Sequence, residues 1–166
     1  MDGTVMTDRD DALERLFRDR YAPMVRLATL LSGSQAVAEE VVMDAFEQLA
    51  PRLADVAEPA AYLRTSVVNG VRSSQRRAAT AERFRPPPER AALDPDVDDM
   101  WERLHALRPE VRACVVLRFY EDLPLDAIAV ALDLPLGTVK SHLHRGLASL
   151  RDLLSEGDEG DEGERS

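Results

Sequence analysis

The residues best suited to chemistry lie between Leu123 and Leu150, in LPLDAIAVALDLPLGTVKSHLHRGLASL. Thr138, Ser141, His142 and Arg145 stand at spacings of three, one and three, which places them together on one face of a helix. Val139, Leu143, Leu147 and Leu150 form the opposite, apolar stripe. Hydroxyl, imidazole and guanidinium groups in that array can hydrogen-bond base edges in a DNA major groove. Lys140, His144 and Arg151 lie on a flanking stripe, where cations meet phosphates. Just upstream, Ile128, Ala129 and Leu132 give a short helix one apolar face, and the small Ala129 lets another helix come close. Asp133 to Leu136 supplies a turn of the length a helix-turn-helix needs. The same residues also fit a helical hairpin with a solvated basic face. The run from 137 to 151, with three basic residues and no acid, favours DNA.

Two other arrays are chemically suggestive. Glu39, Glu40, Asp44 and Glu47 fall in a stretch with no basic residue between Arg26 and Arg52, an acidic surface that an arginine-rich partner would complement. A merely solvated face is the plainer reading of such a run. Downstream, Arg64, Asn69, Arg72, Ser73 and Arg76 lie away from the apolar side of their helix. The arginines suit phosphates, while Asn69 suits either a base or a helix-helix hydrogen bond. No nucleophile and base pairing and no glycine-rich phosphate loop is recognisable, so no catalytic residue and no cofactor is expected. His105, His142 and His144 might suggest a metal, but no Cys, Asp or Glu joins the latter pair at ligand spacing, so no metal site is expected either. Trp101 and the lone Cys114 fall on apolar stripes and read as core.

The elements that must position these residues are helices. Leu13, Leu16, Phe17, Met24, Leu27 and Leu31 recur at steps of three and four, with Pro23 expected to kink or restart the helix and Gly33 to cap it. A second helix carries Ala38, Val41, Val42, Ala45, Phe46 and Leu49, and Pro51 stops it. A third starts near Pro59 and runs through Leu63, Val67, Gly70 and Val71. After a break around Pro86, Pro87 and Pro88, helical spacing resumes at Met100, Trp101 and Leu104, then at Val111, Val115, Val116 and Phe119. The fold class is therefore all-α, in two small helical domains at 8–78 and 99–154, joined by a flexible linker at 79–98 and followed by an acidic, disordered tail at 155–166.

Composition bounds the rest. In 166 residues with 45% hydrophobic content there is a core for one domain or two small ones. No apolar run approaches the roughly 20 residues of a membrane span, and Met1 to Asp11 holds no apolar block, so a cytoplasmic chain without membrane insertion is expected. The net charge of −10 is uneven: residues 156–166 hold six acids against Arg165. That tail would solubilise the chain, or shield the basic face from non-specific DNA.

LRPEVRACVVLRFYEDLPLDAIAVALDLPLGTVKSHLHRGLASLR resembles region 4 of the extracytoplasmic-function sigma factors of bacterial RNA polymerase. RYAPMVRLATLLSGSQAVAEEVVMDAFEQLA is similar to their regions 2.1 and 2.2, and AAYLRTSVVNGVRSSQRR to regions 2.3 and 2.4. The resemblance covers residues 11–77 and 99–152, in family order. It implies a protein that binds core RNA polymerase and directs promoter-specific initiation, the polymerase supplying all catalysis. It implies that Glu40 and Asp44 contact the polymerase clamp, that Arg64, Asn69, Arg72 and Arg76, with the loop 52–58, contact the minus-10 element, and that Thr138, Lys140, Ser141, His142 and Arg145 contact the minus-35 element. An anti-sigma factor is a further partner it brings into view. Departures from the family pattern are Tyr62 and Ala50 where tryptophan is common, His142 where arginine is frequent, and Pro124 and Ala127 where serine and glutamate are common. A stand-alone helix-turn-helix regulator, and a sigma-like protein that binds only a regulator, are the alternative readings.

Overall fold

The structure, a computed structural model, describes residues 3–81 and 95–159, with side chains from 8 to 81 and from 100 to 155. Among the described residues there are seven α-helices, one 3-10 turn and no strand, the all-α class expected from the periodicity. The chain divides into two compact units, Met1–Ala91 and Ala92–Ser166.

In the first unit, α1 (Gly3–Ser32), α2 (Gln35–Leu49) and α3 (Pro59–Ala81) each pack against the other two. Of the kink or restart expected at Pro23, the restart does not occur, because α1 runs through it. A proline removes one N–H from the ladder, whereas Met24, Leu27, Ala28 and Leu31 beyond it are all buried and hold the last turns on the core. Burying a leucine side chain stabilises by roughly 1.5–3 kcal/mol, comparable to what a helix-interior proline costs. Gly33 ends α1 with a left-handed φ of 78°, its N–H donating to Thr29 O at 2.9 Å. Ser34 then caps α2 by accepting from the Val37 N–H at 3.3 Å. Leu27, Val42, Leu49, Leu63, Val67 and Val68 are completely buried between the three helices. Gly70 sets the closest approach of α2 and α3, since a Cβ there would lie 2.6 Å from Val41 Cγ1.

The second unit holds α4 (Pro95–Ala106), α5 (Pro109–Phe119), α6 (Leu125–Leu132) and α7 (Leu136–Glu159). Every residue of α5 from Val111 to Leu117 is buried, so this helix is a central post touching α4, α6 and α7. Trp101 and Cys114 are core residues, as their stripes imply. Phe119 is not: it is 60% exposed, beyond the point where neighbouring helices surround α5. On α7, Val139 and Leu143 are buried as expected, but Leu147 is exposed and Leu150 half-buried. The buried position in their place is Gly146, where a Cβ would lie 2.6 Å from Val115 Cγ2 and 3.0 Å from Val111 Cγ1. Missing a side chain there, α7 closes on α5 along Val139, Leu143 and Gly146, which rotates Leu147 outward.

Pro59, Pro95 and Pro109 open α3, α4 and α5, each in a first turn where its missing N–H is no loss. The helices overrun the boundaries expected from sequence: α1 begins at Gly3, α3 continues to Ala81, α4 begins at Pro95, and α7 continues to Glu159. The proline run of the expected linker, within 82–94, and the end of the acidic tail, 160–166, lie outside the described residues.

Candidate functional site

The turn between α6 and α7 is built on Asp133, which takes a left-handed φ of 51°. Asp tolerates that conformation better than most residues, and the N–H of Leu134 closes the helix end on Ala129 O at 3.0 Å. Pro135 O then accepts from the N–H groups of Thr138, at 2.9 Å, and Val139, at 3.1 Å, so α7 starts at once. Ile128, Ala131 and Leu132 of α6 are buried together with Val139 and Leu143 of α7. The helix-turn-helix is thus fixed from its apolar side, leaving the other face of α7 to solvent.

On that face Lys140, Ser141 and Arg145 are exposed, while Thr138 and His142 are half-buried. No described carboxylate pairs with Lys140 or Arg145, so both cations are available to an anionic surface. Ser141 Oγ donates to Gly137 O at 3.0 Å, which commits its hydrogen and turns its lone pairs outward. His142 Nδ1 is buried without a hydrogen-bond partner among the described residues.

In the first unit, Glu40 and Asp44 are exposed one turn apart on α2. The neighbouring Glu39 is held by Gln35, whose Nε2 donates at 2.8 Å; Glu40 and Asp44 have no such hold. The residues expected at minus-10 DNA differ in exposure. Asn69 is exposed and lines a cleft of about 350 Å³ between α2 and α3, together with Glu40, Asp44, Gln48, Ser66 and Arg77. Arg76 is exposed and donates to Ser73 Oγ at 3.1 Å. Arg64 and Arg72 are half-buried and already engaged within the protein. Gln48, Ser66 and Arg77 were not singled out from sequence; the signal for their cleft is Gly70, the small residue where α2 and α3 meet. The loop 52–58 begins as a tight turn, with Arg52 O accepting from the N–H groups of Asp55 and Val56. Arg9 ties α1 to the start of that loop by donating to Ala50 O.

The Sigma-70, region 4 family profile matches residues 98–150, spanning α5, α6, the turn and the exposed cationic face of α7. An RNA polymerase sigma-E factor of Streptomyces avermitilis is 33% identical over 158 residues, covering 87% of this chain and 86% of that protein. The chain belongs to the extracytoplasmic-function sigma factors of RNA polymerase. The sigma factor SigL of Mycobacterium tuberculosis is 31% identical over 162 residues, covering 87% of this chain and 90% of the relative. The fold is shared with the sigma factor RpoE of Bartonella quintana, solved in complex with the anti-sigma factor NepR, at a TM-score of 0.69 and 20% identity, over 86% of this chain and 96% of that one.

In this sigma factor the second unit also buries a basic side chain, Arg112, and half-buries another, His105. Arg112 on α5 is 6% exposed, and its Nη1 donates to Leu107 O at 3.5 Å. Burial lowers its pKa, partly offset by Glu110. His105 on α4 stacks on Trp101 with ring centroids 4.2 Å apart and donates from Nδ1 to Trp101 O at 2.8 Å. Its Nε2 is buried with no partner. Burial pulls the imidazole below its ordinary pKa and Arg112 adds to the fall, against the hydrogen bond to Trp101. Protonating His105 would place an N–H where no described group accepts it.

Proposed function

We propose that this sigma factor binds core RNA polymerase through the free carboxylates of α2, reads minus-35 DNA through α7, and engages the minus-10 element along α3. The single observation that carries the reading is the unpaired cationic face of α7, set on a helix-turn-helix within a chain whose relatives match it along both units. On this reading the first unit is sigma region 2 and the second is sigma region 4. Thr138, Lys140, Ser141, His142 and Arg145 contact the minus-35 element. Asn69 and Arg76, exposed on α3, contact minus-10 DNA, and Arg64 and Arg72 hold phosphates from the positions their internal partners fix.

Glu40 and Asp44 meet cationic groups of the polymerase clamp. The family resemblance favours Glu40 and Asp44, and a hydrogen bond supports that reading: a carboxylate oxygen of Glu39 already accepts from Gln35. The polymerase performs the chemistry, and no catalytic group of this chain is needed. The proposal places the protein in the cytoplasm with the polymerase; no described helix is long and apolar enough to cross a membrane. An anti-sigma factor enters as a third partner, by analogy with the complex in which the Bartonella quintana protein was solved.

Charge reversal tests the polymerase contact. Replacing Glu40 and Asp44 by Lys should weaken capture by core polymerase, while helicity by circular dichroism stays unchanged, because exposed substitutions usually shift stability by only about 0.5 kcal/mol. Unchanged affinity for core polymerase would remove α2 from the interface.

A further inference from the structure

We propose that His142 reads the promoter as a single hydrogen-bond donor, through Nε2–H, and so requires an acceptor on one base edge of the minus-35 element. This rests on the assignment of α7 as the minus-35 reader. The ring is half-buried on α7, and its Nδ1 is fully buried with no partner among the described residues. In a neutral imidazole one nitrogen carries the proton and the other is a bare acceptor. Orphaned buried N–H groups are rarer and costlier than orphaned acceptors, so the hydrogen-bond accounting assigns the proton to Nε2. Nε2, unlike Nδ1, is not a buried unpartnered atom, and the residue keeps part of its surface exposed.

The neighbours on the face give this donor its meaning. Ser141, its hydroxyl hydrogen held by Gly137 O, presents lone pairs; Arg145 presents a fork of donors; His142 sits between them in sequence with one. A single donor finds an acceptor at N7 or O6 of guanine, N7 of adenine or O4 of thymine, whereas the N4 amino group of cytosine opposes it with another donor. His142 therefore disfavours cytosine on the strand it faces. It also adds no phosphate clamp of the kind an arginine at this position would supply.

The test uses holoenzyme reconstituted with core polymerase, and a promoter selected by that holoenzyme from a library randomised in the minus-35 element. Binding to all four bases at each position is compared for the wild type and for His142→Gln, His142→Phe and His142→Ala. The Gln amide N–H reaches the place of Nε2–H, and Phe keeps the buried ring bulk without a donor. The wild type should disfavour cytosine at one position by roughly three- to tenfold, the worth of one hydrogen bond, and His142→Gln should keep its binding to the acceptor-bearing bases while its Oε1, which can accept from the cytosine amino group, relaxes the discrimination against cytosine. His142→Phe and His142→Ala should lose that preference, and all four proteins should show the same dependence of affinity on salt. Two results overturn the proposal: an even loss of affinity for every sequence with a shallower salt dependence, which marks a phosphate contact, or unchanged selectivity in His142→Phe, which marks packing alone. Arg145→Ala is run in parallel. If it relaxes selectivity at its own position while His142→Phe does not, only the role of His142 fails. If neither variant changes selectivity or affinity, the assignment of α7 as reader fails.

Discussion

Arg145 and Lys140 are both exposed cations on one helix, yet their chemistry separates them. Arg145 shares a stripe with Ser141 and His142, and a guanidinium fork there matches O6 and N7 of a guanine. Replacing it by Ala should cost about 1–3 kcal/mol of promoter affinity and relax specificity at one base pair. Lys140 lies on the flanking stripe; its loss should weaken binding evenly across sequences and lower the salt slope by about one. Titrations of holoenzyme on matched and mismatched promoters separate the two, and an identical uniform loss would make Arg145 a phosphate contact. His105 leads to a prediction about acid stability. Its folded pKa is depressed, so its contribution to stability is complete above the unfolded value and is lost as pH falls through the folded one. The midpoint of thermal unfolding should fall more steeply between pH 7.5 and 5.5 in the wild type than in His105→Phe, which cannot take up a proton. Parallel curves would show that the imidazole does not titrate differently on folding.

At the scale of elements, two glycines define where helices cross. Gly146 lets α7 reach α5, and an added methyl would meet a β-branched valine that has little freedom to move aside. Gly146→Ala should therefore destabilise the second unit by about 1–3 kcal/mol in urea unfolding, and Val115→Ala in the same chain should recover part of that loss. A neutral Gly146→Ala would mean that the helices are not held at this spacing. The helices themselves were legible in the sequence because apolar steps of three and four, Gly33 and the opening prolines are local signals. At Pro23 the sequence leaves a kink or a restart open, and the helix stays continuous because burial of Met24, Leu27 and Ala28 beyond it is a tertiary effect that outweighs one lost hydrogen bond. Leu147 was misplaced for a related reason. A glycine counts for nothing in a hydrophobic pattern, although Gly146 is the residue α7 turns toward the core. The candidate site was legible where it lies on one helix face, as in Thr138, Ser141, His142 and Arg145. It was less so where two helices contribute. That Asn69 shares a cleft with Glu40 and Asp44 depends on the α2 and α3 crossing, which no spacing within α3 reveals.

For the whole molecule, the distribution of charge matters more than its sum. A chain of net charge −10 is repelled by nucleic acid on average, and its attraction must come from local faces such as that of α7. Free carboxylates on α2 and free cations on α7 belong to separate compact units, which suits a protein that holds an enzyme with one and a promoter with the other. A stand-alone helix-turn-helix regulator would need only the second. The two differ most directly in run-off transcription with purified core RNA polymerase and a promoter selected by the reconstituted holoenzyme. Transcripts of defined length should appear only when this chain is added, and should vanish with Arg145→Ala together with Glu40→Lys and Asp44→Lys. A chain that binds the duplex by itself but leaves core polymerase silent would contradict its action as a sigma factor.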